Sequence, residues 1–295
     1  MITIEYFKLT IKYNKKLIII NILCILILYV LRVEKYVFYI LYCLVFFTTL
    51  FYYGFFKIKT IKIINNSKIF VNEYILPRRM AIMELRIDGV NGVYSKIDIE
   101  KNSKNLLVYK FCKKILDGFL DEEYIQLKNA LVLGCGGGTV PKYVANNFDN
   151  VQIDIVELYF DIIEIAKKYF IKDELENINI YKSDAFLFVE KLEDTKKYDF
   201  IFIDVFIEDK LDNNSLESNF IKKIERIMSL TGVVIHNLGN INSLNFDINF
   251  IINLYKNYFN SLYICIENNS FSIVAYNVEK KLANMDNFIK LIKIK

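Results

Sequence analysis

The residues with the clearest chemical meaning follow the apolar run 130–133, where four glycines lie between positions 134 and 138. Gly134, Gly136 and Gly138 are the candidate cofactor-binding glycines, because a sharp strand-to-helix turn needs positive φ or close backbone approach to a ligand. A second apolar run ends at Glu157, 23 residues after Gly134. A carboxylate at such a strand end can accept hydrogen bonds from both hydroxyls of a ribose. This order of features predicts a nucleoside-binding site.

Two further acids follow predicted strands: Asp184 comes after residues 178–181 and Asp204 after residues 198–203. Ligands of open α/β sheets bind outside the carboxyl ends of the strands, so both acids are expected near the glycine turn. A carboxylate at Asp184 can accept from the exocyclic amine of adenine, and Asp204 would reach the centre of the cleft. Structural alternatives stay open: Asp184 can cap a helix, Glu157 can begin one, and Asp204 can be a solvated strand end.

The elements that must position these residues can be read from the spacing of apolar runs. Five short runs, separated by helix-length segments, predict a parallel sheet wrapped by helices: residues 130–133, 152–156, 178–181, 198–203 and 232–238. Residues 262–266 and 271–276 are joined by four residues, which forces an antiparallel pair, because a parallel crossover needs about a dozen. The expected fold is α/β, with a Rossmann-like sheet that resembles the class I methyltransferase fold. It should occupy residues 128–295 as the nucleoside-binding catalytic domain.

Residues 61–127 are expected to form a small β domain before this sheet. The segments 68–76 and 92–100 have strand-like composition or alternation, and residues 105–109 follow a polar turn that makes a hairpin plausible. Tyr94 lies in the second of these segments.

Residues 1–60 contain two apolar segments, which predict a membrane hairpin with helices at about 17–31 and 37–56. The second segment has 20 residues without a charge, which is long enough to span a bilayer core of about 30 Å. The first has 15 residues and would need flanking residues or local thinning. Lysines before and after the hairpin predict a multi-pass protein of the cell (inner) membrane with its catalytic domain in the cytoplasm. A signal peptide and a buried globular hairpin are the alternatives.

Composition excludes several classes of protein and site. The 38 basic residues are scattered among 34 acidic ones, so no nucleic-acid partner is expected. The five cysteines form no CxxC pair, and His236 is the only histidine, so no metal site is expected. His236 lies in the fifth predicted strand, where it could be structural or could carry a proton.

On these segments the chain resembles the spermidine synthase (polyamine aminopropyltransferase) family. The segments are the glycine turn, the strand ending at Glu157, and residues 166–170, 183–185, 198–204 and 232–238. The resemblance implies a transferase that binds S-adenosylmethionine or its decarboxylated form. Glu157 would hold the ribose, Asp184 the adenine, and Asp204 would take a proton from the attacking amine. The implied partner is a small-molecule acceptor, with a polyamine as one candidate, and a homodimer is one candidate assembly.

Three departures from that family leave the reaction open. Gly137 stands where the family usually has an aspartate, Ile207 replaces a second aspartate, and Tyr94-Ser95 replaces a Tyr-Gln pair. Tyr94 and Glu208 are the remaining substrate-binding candidates. Aminopropyl and methyl transfer therefore both remain open. The alternative functions are a non-catalytic nucleoside-binding sensor or scaffold at the membrane and an NAD-dependent oxidoreductase.

Overall fold

A computed structural model of the protein describes most of the chain in separate segments. These are residues 15–30, 32, 34–53, 56–64, 67–74, 82–87, 95–98, 127–171, 176–207, 210–240, 247–267, 270–277 and 292–293. The chain divides into two compact units, Met1–Asn102 and Ser103–Lys295. The domain boundaries predicted at 60/61 and 127/128 remain predictions.

The first unit contains two helices, α1 (Lys15–Val30) and α2 (Lys35–Tyr53), which pack against each other. Helices were expected at about 17–31 and 37–56, so their positions agree with the sequence. Within the described residues, neither helix combines the length and the hydropathy that crossing a membrane requires. The prediction of two transmembrane helices is therefore not supported by the structure.

A four-stranded antiparallel sheet follows the helices in this unit, in the order β1-β2-β3-β4. Its strands are β1 (Phe56–Ile64), β2 (Ser67–Tyr74), β3 (Ile82–Ile87) and β4 (Ser95–Asp98). Phe70, Val71 and Leu85 are fully buried, and Val71 lies opposite Leu85 in the β2–β3 pairing. The segments 68–76 and 92–100 were predicted to be strands and match β2 and β4. The predicted strand 105–109 lies outside the described residues.

The second unit contains an eight-stranded sheet in the order β14-β12-β13-β11-β8-β5-β6-β7. Its strands are β5 (Asn129–Leu133), β6 (Gln152–Glu157), β7 (Ile178–Lys182), β8 (Tyr198–Ile203), β11 (Met228–Asn240), β12 (Ser261–Glu267), β13 (Ser270–Tyr276) and β14 (Ile292–Lys293). A separate hairpin, β9 (Phe206–Ile207) with β10 (Lys210–Leu211), follows β8. Pairing is parallel from β11 to β7 and antiparallel from β11 to β14. The predicted parallel sheet with an antiparallel terminal pair is confirmed.

Helices connect the strands of this sheet. They are α3 (Thr139–Asn147), α4 (Phe160–Ile165), which continues as a π-helix (Ala166–Ile171), α5 (Ala185–Lys191), α6 (Ser218–Ile227) and α7 (Ile248–Lys256), with a 3₁₀ turn at Asn213–Leu216. The apolar residues of α6 recur at helical spacing, and Phe220, Ile221, Ile224 and Ile227 are all buried. The inner strands β5 and β8 are apolar on both sides and contribute to two hydrophobic clusters. This packing holds the carboxyl ends of β5, β6 and β8 in one rigid edge.

Candidate active site

The predicted glycine turn lies between β5 and α3. Gly134, Gly136 and Gly138 have φ values of +90°, +49° and +77°, which residues with a Cβ rarely adopt. The Gly138 N–H donates to the carbonyl of Cys135 over 2.7 Å and closes the turn. A Cβ on Gly138 would lie 2.5 Å from the Ile171 side chain at the end of the π-helix. The turn therefore needs glycine for its backbone conformation and for its close packing.

Gly134 has a second function, which is to bring two strand ends together. A Cβ on Gly134 would lie 2.2 Å from the carbonyl oxygen of Asp204. In the same contact the Asp204 N–H donates to the carbonyl of Leu133 over 2.8 Å. The missing side chain at Gly134 therefore allows Asp204 to lie directly beside the glycine turn.

Glu157 is buried beneath this turn and accepts hydrogen bonds from its backbone. Its Oε2 accepts from the Cys135 N–H and its Oε1 from the Tyr159 N–H, each over 3.0 Å. Burial raises the pKa of Glu157, and hydrogen bonds from these groups and from the Gly136 and Leu158 backbone oppose that rise. A carboxylate has about four acceptor positions. Organising the turn is therefore one function of Glu157, and ribose binding remains a prediction.

Asp204 lies at the end of β8 and is only partly open to solvent. Its Oδ1 accepts a hydrogen bond from Asn237 Nδ2 over 2.8 Å, and its Oδ2 accepts none from any described residue. Burial raises the pKa of Asp204 to about 6; the Asn237 hydrogen bond lowers it, and the charge of Glu157 adds to the rise. A carboxylate with a pKa near neutral pH and a free oxygen is suited to act as a general base.

Asp184 lies between β7 and α5, as the sequence predicted. Its Oδ1 accepts from the N–H groups of Phe186 and Leu187, each over 2.9 Å. Asp184 is therefore the N-cap of α5, which was the structural alternative for this residue. Oδ2 accepts no hydrogen bond within the described part of the chain, and its predicted contact with adenine remains a prediction.

The N-terminus of α3, at the glycine turn, lacks a side-chain cap. Gly138 occupies the N-cap position and no acidic residue lies in the first turn. The hydroxyl of Thr139, the first residue of α3, is buried and has no hydrogen-bond partner among the described residues. Free backbone N–H groups and the positive end of the helix dipole favour an anion at this position. Thr139 directly follows the glycines but was not among the predicted site residues.

His236 and Asn237 lie next to each other on β11, and the structure gives them different environments. His236 is fully buried, and its Nδ1 lies 2.7 Å from the hydroxyl oxygen of Tyr255. Burial lowers the pKa of His236 to about 3, so the ring is neutral and the structural interpretation is supported. Asn237 contacts Asp204 and was missed by the sequence analysis. Asn237 could have been identified because it is a polar residue that follows the apolar part of β11, the strand that pairs with β8.

The two substrate candidates Tyr94 and Glu208 both lie outside the described residues.

No group of three or more His, Cys, Asp or Glu side chains that could hold a metal ion occurs in the described segments. Burial, with a smaller effect of Glu157, raises the pKa of the Cys135 thiol, which therefore stays protonated and unreactive.

Fold and site together define the class of protein. The sheet topology, the glycine turn after β5, the acid at the end of β6 and the acid at the end of β8 are those of a class I methyltransferase-like α/β protein. Residues 110–287 match the spermine/spermidine synthase domain. The chain belongs to that family.

Individual relatives resemble only part of the chain. The polyamine aminopropyltransferase of Vibrio vulnificus is 29% identical over 108 residues, 36% of this chain and 36% of that protein. The human eEF1A lysine and N-terminal methyltransferase is 30% identical over 118 residues, 37% of this chain and 17% of that protein. The matches thus span about a third or less of the length of these curated relatives.

One solved structure extends the likeness to most of the chain. A probable spermidine synthase from Corynebacterium glutamicum superimposes with a TM-score of 0.65. The superposition covers 77% of this chain and 83% of that one at 15% identity. At this identity the likeness concerns the fold alone.

Proposed function

We propose that the protein is a transferase that binds S-adenosylmethionine or decarboxylated S-adenosylmethionine and transfers a methyl or aminopropyl group to an amine-type acceptor. Membership of the spermine/spermidine synthase family supports this class of reaction. Relatives with partial matches are named as aminopropyltransferases and as methyltransferases. Both reactions are displacements at a carbon bonded to the sulfonium sulfur.

The observation that carries the proposal is the state of Asp204. One oxygen of its carboxylate is fixed by Asn237, the other accepts no hydrogen bond from a described residue, and burial raises its pKa to about 6. At neutral pH this group is ionised and can take the proton that an attacking amine releases. Its position beside Gly134 puts the base next to the turn expected to hold the donor.

The start of α3 favours the donor that retains its carboxylate. The buried Thr139 hydroxyl has no partner in the described part of the chain, and with the uncapped helix N-terminus it forms an anion-favouring position at the glycine turn. S-adenosylmethionine has a carboxylate and its decarboxylated form does not. Gly137, where the family usually has an aspartate, adds no negative charge there. We therefore favour methyl transfer, with aminopropyl transfer as the second candidate.

Calorimetry of the full-length protein with S-adenosylmethionine, decarboxylated S-adenosylmethionine and NAD in parallel tests the donor. We expect the first two to bind and S-adenosylmethionine to bind more tightly. Thr139→Val should weaken S-adenosylmethionine binding by about 10–100-fold, since a hydrogen bond to a charged group is lost. The decarboxylated form is the matched control, and its affinity should not change. Binding of NAD alone would replace the proposal with an oxidoreductase.

A transfer assay with di- and polyamines as acceptors then tests the reaction. Asp204→Asn should keep donor affinity within a few-fold and lower turnover by roughly 10²–10⁴, because the amide cannot accept the proton. Donor binding without transfer to any acceptor would favour the non-catalytic sensor.

We also propose that the α1–α2 hairpin attaches the protein to the cell (inner) membrane, with the catalytic unit in the cytoplasm. Large apolar side chains of both helices are more than half exposed. They include Ile22, Leu23, Leu26 and Ile27 in α1 and Ile40, Leu44 and Phe47 in α2. Monomeric soluble proteins rarely expose an apolar surface of this extent, and lipid would cover it. We propose, in addition, that the acceptor is a polyamine and that the protein forms a homodimer.

A further inference from the structure

Asn237 is held at both ends of its side-chain amide. Its Nδ2 donates to Asp204 Oδ1 over 2.8 Å, and its Oδ1 accepts from the Gly239 N–H over 3.1 Å. An amide with both ends engaged has one orientation, because a flip would place two donors or two acceptors against each other. The oxygen of Asp204 that it contacts is therefore fixed as well.

The backbone of β11 is irregular at this position. The pairing of β11 with β13 shifts in register between Asn237 and Gly239, which is the pattern of a β-bulge. Gly239 has a φ of +80°, and a Cβ there would lie 3.0 Å from the Phe206 ring. Bulges often re-aim side chains beside active sites, and this one brings the Gly239 N–H onto the Asn237 amide.

We propose that Asn237 is a positioning residue that holds one oxygen of the Asp204 carboxylate and leaves the other to take the proton of the acceptor. The proposal rests on the proposed function. The acceptor nitrogen attacks the carbon bonded to the sulfonium sulfur, and the C–S bond breaks with its electron pair left on sulfur. The positively charged nitrogen then releases its proton to Asp204 Oδ2. Asn237 itself touches neither the donor nor the acceptor in this step.

Two described groups act on Asp204 in opposite directions. The charge of Glu157, at the end of β6, raises the pKa of Asp204, whereas the hydrogen bond from Asn237 lowers it. Leu133 at the end of β5, Gly134 after it, and the β9 residue Phe206, which lies against Gly239, carry no charge. Removing the Asn237 donor should therefore raise the pKa of Asp204 by roughly one pH unit.

The test is a carbon-13 NMR titration of aspartate carboxyl groups in the full-length protein, with Asp204→Asn used to identify the Asp204 signal. Asn237→Ala should move the Asp204 titration upward by roughly one pH unit. In the transfer assay the acidic limb of the pH–rate profile should move by the same amount, and kcat should fall more than KM changes. Asn237→Ser serves as a second variant, since its shorter side chain is polar but falls short of Asp204.

Asn179→Ala is the matched control, because Asn179 also donates to an aspartate, Asp154, over 3.0 Å. It should leave the Asp204 titration and the pH–rate profile unchanged. An Asp204 titration that is the same in wild type, Asn237→Ala and Asn237→Ser would overturn the proposal. Absence of any transfer by the wild type would instead reject the proposed function, and the titration would still decide the role of Asn237.

Discussion

At the scale of single residues, Asp204 has opposite effects on function and on stability. Burial and the charge of Glu157 raise its pKa to about 6, whereas an unfolded aspartate has a pKa of about 3.9. Below about pH 4 the Asp204 carboxyl is protonated in both the folded and the unfolded protein. Between about pH 4 and pH 6 it is protonated only in the folded protein. The stability that this proton gives is present at low pH and lost as pH rises through the folded pKa. The ionised form of Asp204 that the proposed reaction needs is therefore the less stable form.

We predict that Asp204→Asn is more stable than wild type at pH 7, by about 2–3 kcal/mol as an upper estimate. The asparagine does not ionise, and its side-chain oxygen can still accept from Asn237. Thermal unfolding at pH 7 and at pH 4 measures the difference, which should nearly vanish at the lower pH. A variant that is equally or less stable than wild type at pH 7 would contradict the assigned environment of Asp204.

At the scale of elements, β6 carries two buried acids with different functions. Glu157 holds the glycine turn, whereas Asp154 links β6 to β7 and, past β5, to β8. Asp154 accepts hydrogen bonds from Asn179 on β7, from Tyr198 on β8 and from Lys196 just before β8, over 3.0, 2.8 and 2.5 Å. Burial by itself raises the pKa of Asp154, but these hydrogen bonds outweigh it and hold the pKa below its ordinary value.

Asp154→Asn should lower the free energy of unfolding by about 1–3 kcal/mol at pH 7, because the buried Tyr198 hydroxyl and the Lys196 ammonium lose a charged acceptor. The folded pKa lies below the unfolded one, so this stability is present above about pH 4 and is lost as pH falls through the folded pKa. Urea unfolding at pH 7 and at pH 3 should therefore show a difference from wild type that shrinks at pH 3. The control is Asp149→Asn at an exposed turn, which should change stability by less than about 0.5 kcal/mol.

The contact between the β5 and β8 ends depends on one missing side chain. Gly134→Ala would force positive φ on an alanine and place its Cβ 2.2 Å from the Asp204 carbonyl oxygen. We expect destabilisation by at least about 1–3 kcal/mol from backbone strain, together with loss of turnover as Asp204 is displaced. Gly137→Ala is the control, since Gly137 is not among the glycines with positive φ and the protein should stay folded. Equal melting temperatures of the two variants would refute this role of Gly134.

At the scale of the whole molecule, the proposed transfer reaction does not explain the exposed apolar side chains of the α1–α2 hairpin. If the hairpin attaches the chain to a membrane, full-length protein should be recovered with the membrane fraction and released by detergent. Reporter fusions after Lys16, within residues 32–35 and after Lys62 then define the arrangement. A spanning hairpin gives inside, outside, inside, whereas a hairpin lying on one surface gives inside three times. Recovery of the full-length protein without detergent in the soluble fraction would contradict attachment.

Much of the catalytic fold could be predicted because its signals are local in sequence. Apolar runs of four to seven residues separated by helix-length segments mark the strands of a parallel sheet, and a four-residue link permits only an antiparallel pair. The glycines at 134–138 and the acids after β6, β7 and β8 could be placed at one sheet edge for the same reason. The strands β1 and β3 were not predicted individually. Their apolar and polar residues show no change of pattern that marks where each strand begins and ends.

The tertiary structure decided what each of these residues contacts. The Asn237–Asp204 hydrogen bond joins positions 33 residues apart and depends on a bulge that no local pattern predicts. His236 is the only histidine of the sequence, and burial beside Tyr255 lowers its pKa and leaves the ring neutral. The sequence alone determined the order of strands, turns and acids, because secondary structure follows from neighbouring residues. Burial, pKa and hydrogen-bond partners depend on distant segments and were decided only when the chain packed.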